Sequence, residues 1–454
     1  MRGLLIGLGL LATTVANAKV SAEEAARLGA DLTPVGAERA GLENGPHGLS
    51  IPPWTGGWVE PGQGDKRIHA PENPFADEEP LFTIRADNAA KYDAILTRGQ
   101  RALLSQYPDT FEMHVYPSHR TAAAPDYVYK STQENATRVV INESGSGFSG
   151  TAHGYPFPLP QNGRELIWNH MARYRTKGFR GYTNSAITTA SGDYVVERGY
   201  IEAVMHYGNP DITLEDWDNR LISLMRKIVS PPNKAGEAVL VHAPLDREED
   251  DILIWQYNIG TRKVRRISEV GYDNPALDGL ITHDQIDMFN GPLDRYSFKL
   301  IGKRPILVPY NSFDLHSDDV EYDDLIDKGH LDPELVRYEL HRVWVLEAER
   351  LPDVAHIYKK RVFYLDEDTW LVLLQDIYDD RDEFWRTAMS FAMPYPQIPL
   401  TFNALQAHYD LQSRRYVIIN MQNEEESPVE YDYDAPPSHF TQSALKRFAS
   451  QRQR

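Results

Sequence analysis

Between Leu335 and Asp380 the chain reads LVRYELHRVWVLEAERLPDVAHIYKKRVFYLDEDTWLVLLQDIYDD, and this stretch limits the fold more than any other. Tyr, Trp, Phe and Val fill three segments, as a pleated, half-buried surface favours. Leu351-Pro352-Asp353 and Asp366-Glu367-Asp368 separate them, because proline presets φ and aspartate hydrogen-bonds its own backbone. The pattern predicts three antiparallel strands, over about 337–347, 356–365 and 369–377. A strand with one wet face alternates apolar and polar residues. Val343-Trp344-Val345-Leu346 and Trp370-Leu371-Val372-Leu373-Leu374 do not alternate. A sheet built from them has apolar material on both sides: core on one, a helix or a ligand on the other.

The rest of the chain divides around that sheet. Arg2, the apolar run Gly3–Val15 and the small-x-small Ala16-Asn17-Ala18 have the layout of a secretory signal. Cleavage is expected after Ala18, which puts the mature protein in the periplasm. The run is too short to span a bilayer, and no later segment reaches ~18 consecutive apolar residues. Residues 19–80 read as a short helix and then an extended arm, Leu32–Gly64, whose Trp54 and Trp58 would clip it to the body. Residues 81–437 read as one large antiparallel β domain. It opens with a helix over 88–107, where Tyr92, Ile95, Leu96, Leu103 and Leu104 recur at helical spacing. Asn88 is its candidate cap, and Gly99 weakens its middle by ~1 kcal/mol relative to alanine. Segment 221–228 fits either a strand or a helix. Residues 438–454 read as a short amphipathic helix with a basic tail. No fixed-period repeat occurs, which disfavours propellers and solenoids. The fold class is mainly β (α+β): a large curved antiparallel sheet or incomplete β-barrel with a few helices on its concave side.

Charge and composition exclude several functions. A net charge of −19 repels nucleic-acid phosphates and anionic headgroups. With no cysteine, disulfides, thiolate metal sites and cysteine nucleophiles are absent. Gly145-Ser146-Gly147-Phe148-Ser149-Gly150 matches GxGxxG, but Pro156, Pro158 and Pro160 follow where a dinucleotide site needs a helix, so it reads as a flexible loop. No GxSxG elbow or HExxH helix occurs. His283-Asp284 with Asp287, and His341 with His356, have no strong ligand spacing, and cross-strand polar pairing is the simpler reading of the latter. The acidic clusters at 246–251, 318–324, 366–368 and 379–382 read as solvated turns. Arg262-Lys263-Val264-Arg265-Arg266 reads as a strand whose cations pair internally with carboxylates, with a docking patch as the minor reading. No catalytic residue, cofactor or metal-ligand set is assigned.

The aromatic residues carry the remaining signal. A concave sheet lined with them can hold an acyl or polycyclic molecule. At ~0.8 kcal/mol per CH₂, exposing a ~14-carbon chain to water costs roughly 11 kcal/mol, which only an enclosed apolar groove offsets. Trp344, Phe363, Tyr364 and Trp370 are the candidate lining residues. Adjacent strand residues point to opposite faces, so one of Phe363 and Tyr364 must be ordinary packing.

Several long stretches together resemble one family: LTPVGAERAG with IPPWTGGW, PLFTIRADNAAKYDAILTRGQRALLSQYPDTFEMHVYPSHRTA, YPFPLPQNGRELIWNH, TRKVRRISEVGYDNPALDGL, DMFNGPLDRYSFKLIGKRPILVPYN and the central triple. They resemble the exported proteobacterial domain-of-unknown-function family labelled outer-membrane lipoprotein-sorting-like. The resemblance spans nearly all of the mature chain. It implies a LolA/LolB-like fold, an incomplete antiparallel barrel with helices over its concave side. It also implies a non-catalytic periplasmic carrier of hydrophobic cargo working with an RND-type exporter and an outer-membrane β-barrel protein. The alternatives are a secreted hydrolase of glycans or esters, which needs a converging carboxylate pair or Ser/His pair, and a cargo-free scaffold docked on an outer-membrane protein.

Overall fold

The computed structural model describes residues 20–60, 67–68, 71–267 and 271–451. The expected signal segment 1–18, the end of the arm at 61–64 and the last three residues of the basic tail lie outside them. Apart from two short pairs, Val140–Ile141 with Phe148–Ser149 and Pro275–Ala276 with Ile281–Thr282, the described strands join into one sheet of 17. In chain order they are β1 (Arg67–Ile68), β2 (Phe82–Ile84), β3 (Met113–Val115), β4 (Gly178–Thr188), β5 (Tyr194–Met205), β6 (Arg220–Ser230), β7 (Ala238–Pro244), β8 (Leu253–Asn258) and β9 (Lys263–Ile267). There follow β10 (Tyr296–Pro309), β11 (Arg337–Arg350), β12 (Lys360–Asp366), β13 (Val372–Tyr378), β14 (Phe384–Tyr395), β15 (Leu400–Asp410), β16 (Arg415–Met421) and β17 (Val429–Tyr431). Strands β10 to β16 form one antiparallel meander. Strand β16 pairs with β4, and β4 to β9 form a second meander. The end strands, β10 and β9, do not pair with each other among the described residues, so the sheet is not closed into a barrel. Strand β3 adds in parallel to the start of β11, through Arg337↔His114, and carries β2 on its other side.

The central triple forms as the residue pattern predicts, and its two-sided apolar character has a direct cause. Val343, Val345 and Tyr364 pack into a core that includes Leu103 and Leu104. Leu346, Phe363 and Leu365 pack on the other face with Leu166, Ile167 and Trp168. Helix α1 (Arg98–Gln106) therefore covers one face, and a later helix, Gly163–Met171, covers the other. No helix among the described residues is long and apolar enough to cross a membrane.

Several expectations are corrected. The helix expected over 88–107 is two pieces, a 3-10 turn at Ala89–Ile95 and helix α1. Thr97 restarts the helix by accepting from the Gln100 N–H, while the Gln100 side chain accepts from the Thr97 N–H. Asn88 caps nothing; its side chain instead bonds Arg85 N and Thr83 O. Gly99 thus stands in the first turn rather than mid-helix, and its role is close approach: a Cβ there would lie 2.0 Å from Thr387 Oγ1. Segment 221–228 is strand β6. Helices α2 (Asp126–Arg138) and α3 (Gly163–Met171) escaped the periodicity, because the first is polar along most of its length. Their signals were local: Pro125 before the first, and the Asn162-x-x-Glu165 cap of the second, in which Asn162 Oδ1 accepts from Arg164 N and Glu165 N. The cations Arg262, in the turn before β9, and Lys263, Arg265 and Arg266, along that edge strand, are exposed rather than buried against carboxylates. Charge on an exposed edge discourages pairing with another chain. The last helix, α4 (Gln442–Ser450), packs Leu445 and Phe448 against Met225, Leu240 and Tyr257 of the second meander.

Candidate ligand-binding face

Three of the four predicted lining residues share one face. Trp344 and Trp370 stack with ring centroids 6.2 Å apart and planes 16° from parallel. Phe363 belongs to the same cluster. Tyr364 points to the opposite face, where its hydroxyl donates to Asp376 Oδ2 at 3.2 Å. Strand alternation places it opposite Phe363. The β12–β13 connection sets the Trp370 ring: Trp370 takes φ +61°, and Asp366 closes the turn by accepting from Thr369 N and Thr369 Oγ1.

The N-terminal arm lies over this face. It has almost no regular structure, and its backbone carbonyls are held by side chains of the body. Trp370 Nε1 donates to Val35 O (3.1 Å), Arg120 Nη1 to Glu38 O (2.9 Å) and Arg342 Nη2 to Ala40 O (2.5 Å). Gly36, at φ +93°, lets the arm pass the body where a Cβ would meet Pro158 O at 1.9 Å. Trp54 Nε1 donates to Ala122 O, and Trp58 packs edge-on against Phe313, so both arm tryptophans do clip it down. Trp370 is 0 % exposed under this cover, and Phe363 is 0 % exposed against Phe289, with ring centroids 5.4 Å apart. Two recesses lie nearby. One, beside Trp54, Tyr129, Tyr155 and Asp368, has about 10 Å³ of room, enough for a single water. The other, between the end of α2 and Pro156–Leu159, is walled by Val139, Val140, Ile141 and Phe157 and has about 80 Å³. A benzene-sized guest occupies a cavity of ~150 Å³. Neither recess has room for an acyl chain.

The turn Asp366-Glu367-Asp368, expected to be solvated, is buried at the rim of this face. The reason is a matching set of cations. Arg120 holds both oxygens of Asp368, at 2.8 and 2.6 Å. Lys303 and Arg342 hold Glu367 at 2.9 and 3.0 Å. Asp366 has no cation that close, and burial together with the Asp368 charge pushes its carboxyl up to about 6. His341 Nδ1 lies 3.8 Å from Asp366 Oδ1, and its Nε2 lies 3.0 Å from Glu339 Oε2. Burial lowers the His341 pKa, but Glu339 and the two aspartates outweigh it and hold it above the ordinary histidine value. His341, Asp366 and Asp368 each offer a ligand atom within 4.8 Å of the others, yet Arg120 already occupies both Asp368 oxygens.

The other histidine candidates separate. His356 precedes β12 and pairs with Asp284 at 3.1 Å, where Arg361 also binds at 2.6 Å. Asp287 is held by Arg173 and Arg175. Sequence reasoning missed His170, which joins α3 to the sheet. Its Nδ1 accepts from Val372 N at 3.1 Å, so its Nε2 donates to Asp287 O at 2.8 Å. Burial lowers its pKa to about 3, so the ring is neutral. For the hydrolase alternative, Ser223 Oγ and His206 Nε2 stand 3.0 Å apart, but Ser223 is 1 % exposed within β6 and offers a substrate no access.

A family model described as "Protein of unknown function (DUF1329)" matches residues 83–446. An uncharacterized protein of Pseudomonas aeruginosa is 41% identical over 446 residues, covering 98% of this chain and 97% of that one. Among solved structures, a DUF1329 family protein from Desulfovibrio piger is similar at TM-score 0.43 and 15% identity, covering 62% of this chain and 96% of that one. A LolA superfamily protein from Nitrosomonas europaea is similar at TM-score 0.38 and 13% identity, covering 62% of this chain and 98% of that one.

Proposed function

The chain belongs to the DUF1329 family of proteins of unknown function, and for this member we propose a non-catalytic role in the periplasm: binding and carrying a lipid-like or other hydrophobic molecule. The observation that supports it is what covers the aromatic face. Trp370, at the edge of the aromatic cluster, is closed off partly by irregular chain, held at the carbonyls of Val35, Glu38 and Ala40 and by ion pairs of Glu38 with Lys303 and Arg342. Chain outside the strand ladders can open locally while the core strands stay paired. A cargo that displaces the arm replaces the same apolar burial, at ~25 cal/mol per Å² of surface removed from water. The protein thus stays closed when empty and exposes its aromatic face only on loading. An RND-type exporter and an outer-membrane β-barrel protein are the partners we propose for loading and delivery.

The test is native mass spectrometry and solvent extraction of the purified protein, followed by titration with a fluorescent fatty acid. A co-purifying amphiphile, or saturable uptake that quenches tryptophan fluorescence, is the expected result. Clean protein that takes up no probe, even after removal of residues 20–60, overturns the proposal.

A further inference from the structure

We propose that Glu112, His114 and Glu334 form a binding site for a zinc-class divalent cation beside β3, away from the aromatic face. Glu112 and His114 stand two residues apart in extended chain, so their side chains share a face. The 3-10 turn Pro333–Leu335, which leads into β11, brings Glu334 to the same place. His114 Nε2 lies 3.1 Å from Glu112 Oε1 and 3.3 Å from Glu334 Oε1. Zinc holds imidazole nitrogen and carboxylate oxygen at about 2.0–2.2 Å, so two such ligands at a tetrahedral angle stand about 3.4 Å apart. Both spacings from Nε2 suit adjacent ligands around one ion, and all three ligand atoms lie within 4.8 Å of one another.

A second observation points the same way. His114 is 7 % exposed, yet its buried Nε2 makes no hydrogen bond, although two carboxylates lie within reach. The other ring nitrogen is engaged: Nδ1 lies 3.0 Å from the hydroxyl of Thr83, the residue directly opposite on β2. With Nδ1–H donated to Thr83, Nε2 keeps its lone pair for the ion, the arrangement that orients ligating histidines. Arg85 pairs with Glu112 Oε2 and leaves Oε1 for the ion. The Glu334 side chain is 75 % exposed, which opens the fourth position to water. Glu334 and the part of the Glu112 charge that Arg85 leaves offset the ion's charge, and a mixed nitrogen and oxygen set favours zinc over magnesium. The ion would tie the turn before β11 to β3, at the point where the two strands pair in parallel.

The experiment is calorimetric titration of the purified full chain with zinc chloride, beside Glu334→Gln and Thr83→Val. Glu334 is exposed, so its variant keeps the fold, which circular dichroism checks. The wild type is expected to bind one more equivalent than Glu334→Gln, or to bind at least tenfold tighter. Thr83→Val, which touches no ligand atom of the ion, is expected to weaken zinc ~10-fold or more. Magnesium chloride should give no comparable heat. Failure of the wild type to bind zinc, identical titrations of wild type and Glu334→Gln, or magnesium binding as tight as zinc each overturn the proposal.

Discussion

The indole of Trp370 donates its N–H to the main-chain oxygen of Val35 at 3.1 Å, joining two residues 335 positions apart. That bond fastens the arm over the aromatic face. Trp370→Phe keeps an aromatic ring but leaves the Val35 carbonyl without its donor, a loss of ~1–3 kcal/mol for a buried group. The loss should be local. Amide exchange followed by mass spectrometry should show faster exchange across residues 33–42, with α4 and the second meander unchanged. A uniform rise over the whole chain would mean that the indole holds the core rather than the arm.

Gly99 tests how closely α1 sits on the sheet. Its N–H donates to Asp376 Oδ1 at 2.9 Å and the Arg98 N–H to Asp376 Oδ2 at 3.2 Å, so the carboxylate receives the helix N-terminus. A Cβ would meet Thr387 Oγ1 at 2.0 Å and Asp376 Oδ1 at 2.6 Å. Gly99→Ala should therefore lose ~1–3 kcal/mol, the usual cost of overpacking, where helix propensity alone predicts a gain of ~1 kcal/mol. Thermal unfolding decides the sign.

The central triple was legible because an apolar run on both strand faces has few structural solutions, and the two helices that answer it are both present. Their identities were less accessible. The α2 segment DYVYKSTQENATR has no long apolar stripe: Val128, Thr132 and Asn135 face inward, Tyr127 and Tyr129 are partly covered, and two of the three buried residues are polar. The acidic turn misled for a different reason. Asp366, Glu367 and Asp368 look solvated in one dimension, since the cations that bury them, Arg120, Lys303 and Arg342, come from distant segments. The Phe363/Tyr364 division followed from strand geometry, whereas no residue pattern told which of the two would meet Trp370.

Arg120 carries a large share of that burial. Its side chain and that of Asp368 are 2 % and 3 % exposed. Arg120→Ala leaves a buried carboxylate uncompensated, for which ~3–5 kcal/mol is typical. Arg120→Lys restores charge but not the two-point contact to Asp368, so it should recover only part of the loss. Urea midpoints should fall in the order wild type, Lys, Ala. Equal midpoints for wild type and Lys would show that charge alone suffices.

Asp376 gives a pH dependence of unusual sign. Burial pushes its carboxyl up to about 6 from an ordinary 3.8, against the Gly99 and Arg98 N–H groups that favour the anion. Between about pH 4 and pH 6 the folded chain therefore keeps a proton that the unfolded chain has lost. Stability falls with rising pH wherever the folded state binds more protons, by about 1.4 kcal/mol per pH unit per proton. The contribution is full below pH 4, is lost as pH rises to about 6, and totals up to ~3 kcal/mol. Asp376→Asn cannot ionise and lacks this term, though losing an acceptor shifts its stability by a constant. Other buried acids contribute equally to both proteins and cancel in the difference. Denaturant unfolding at pH 4, 5, 6 and 7 should show the wild type losing stability relative to Asp376→Asn up to about pH 6 and running parallel to it above. A difference that is flat over this range, or that grows in favour of the wild type, would mean that Asp376 is ionised in the fold at pH 4 and that the α1 N-terminus, not burial, governs its proton.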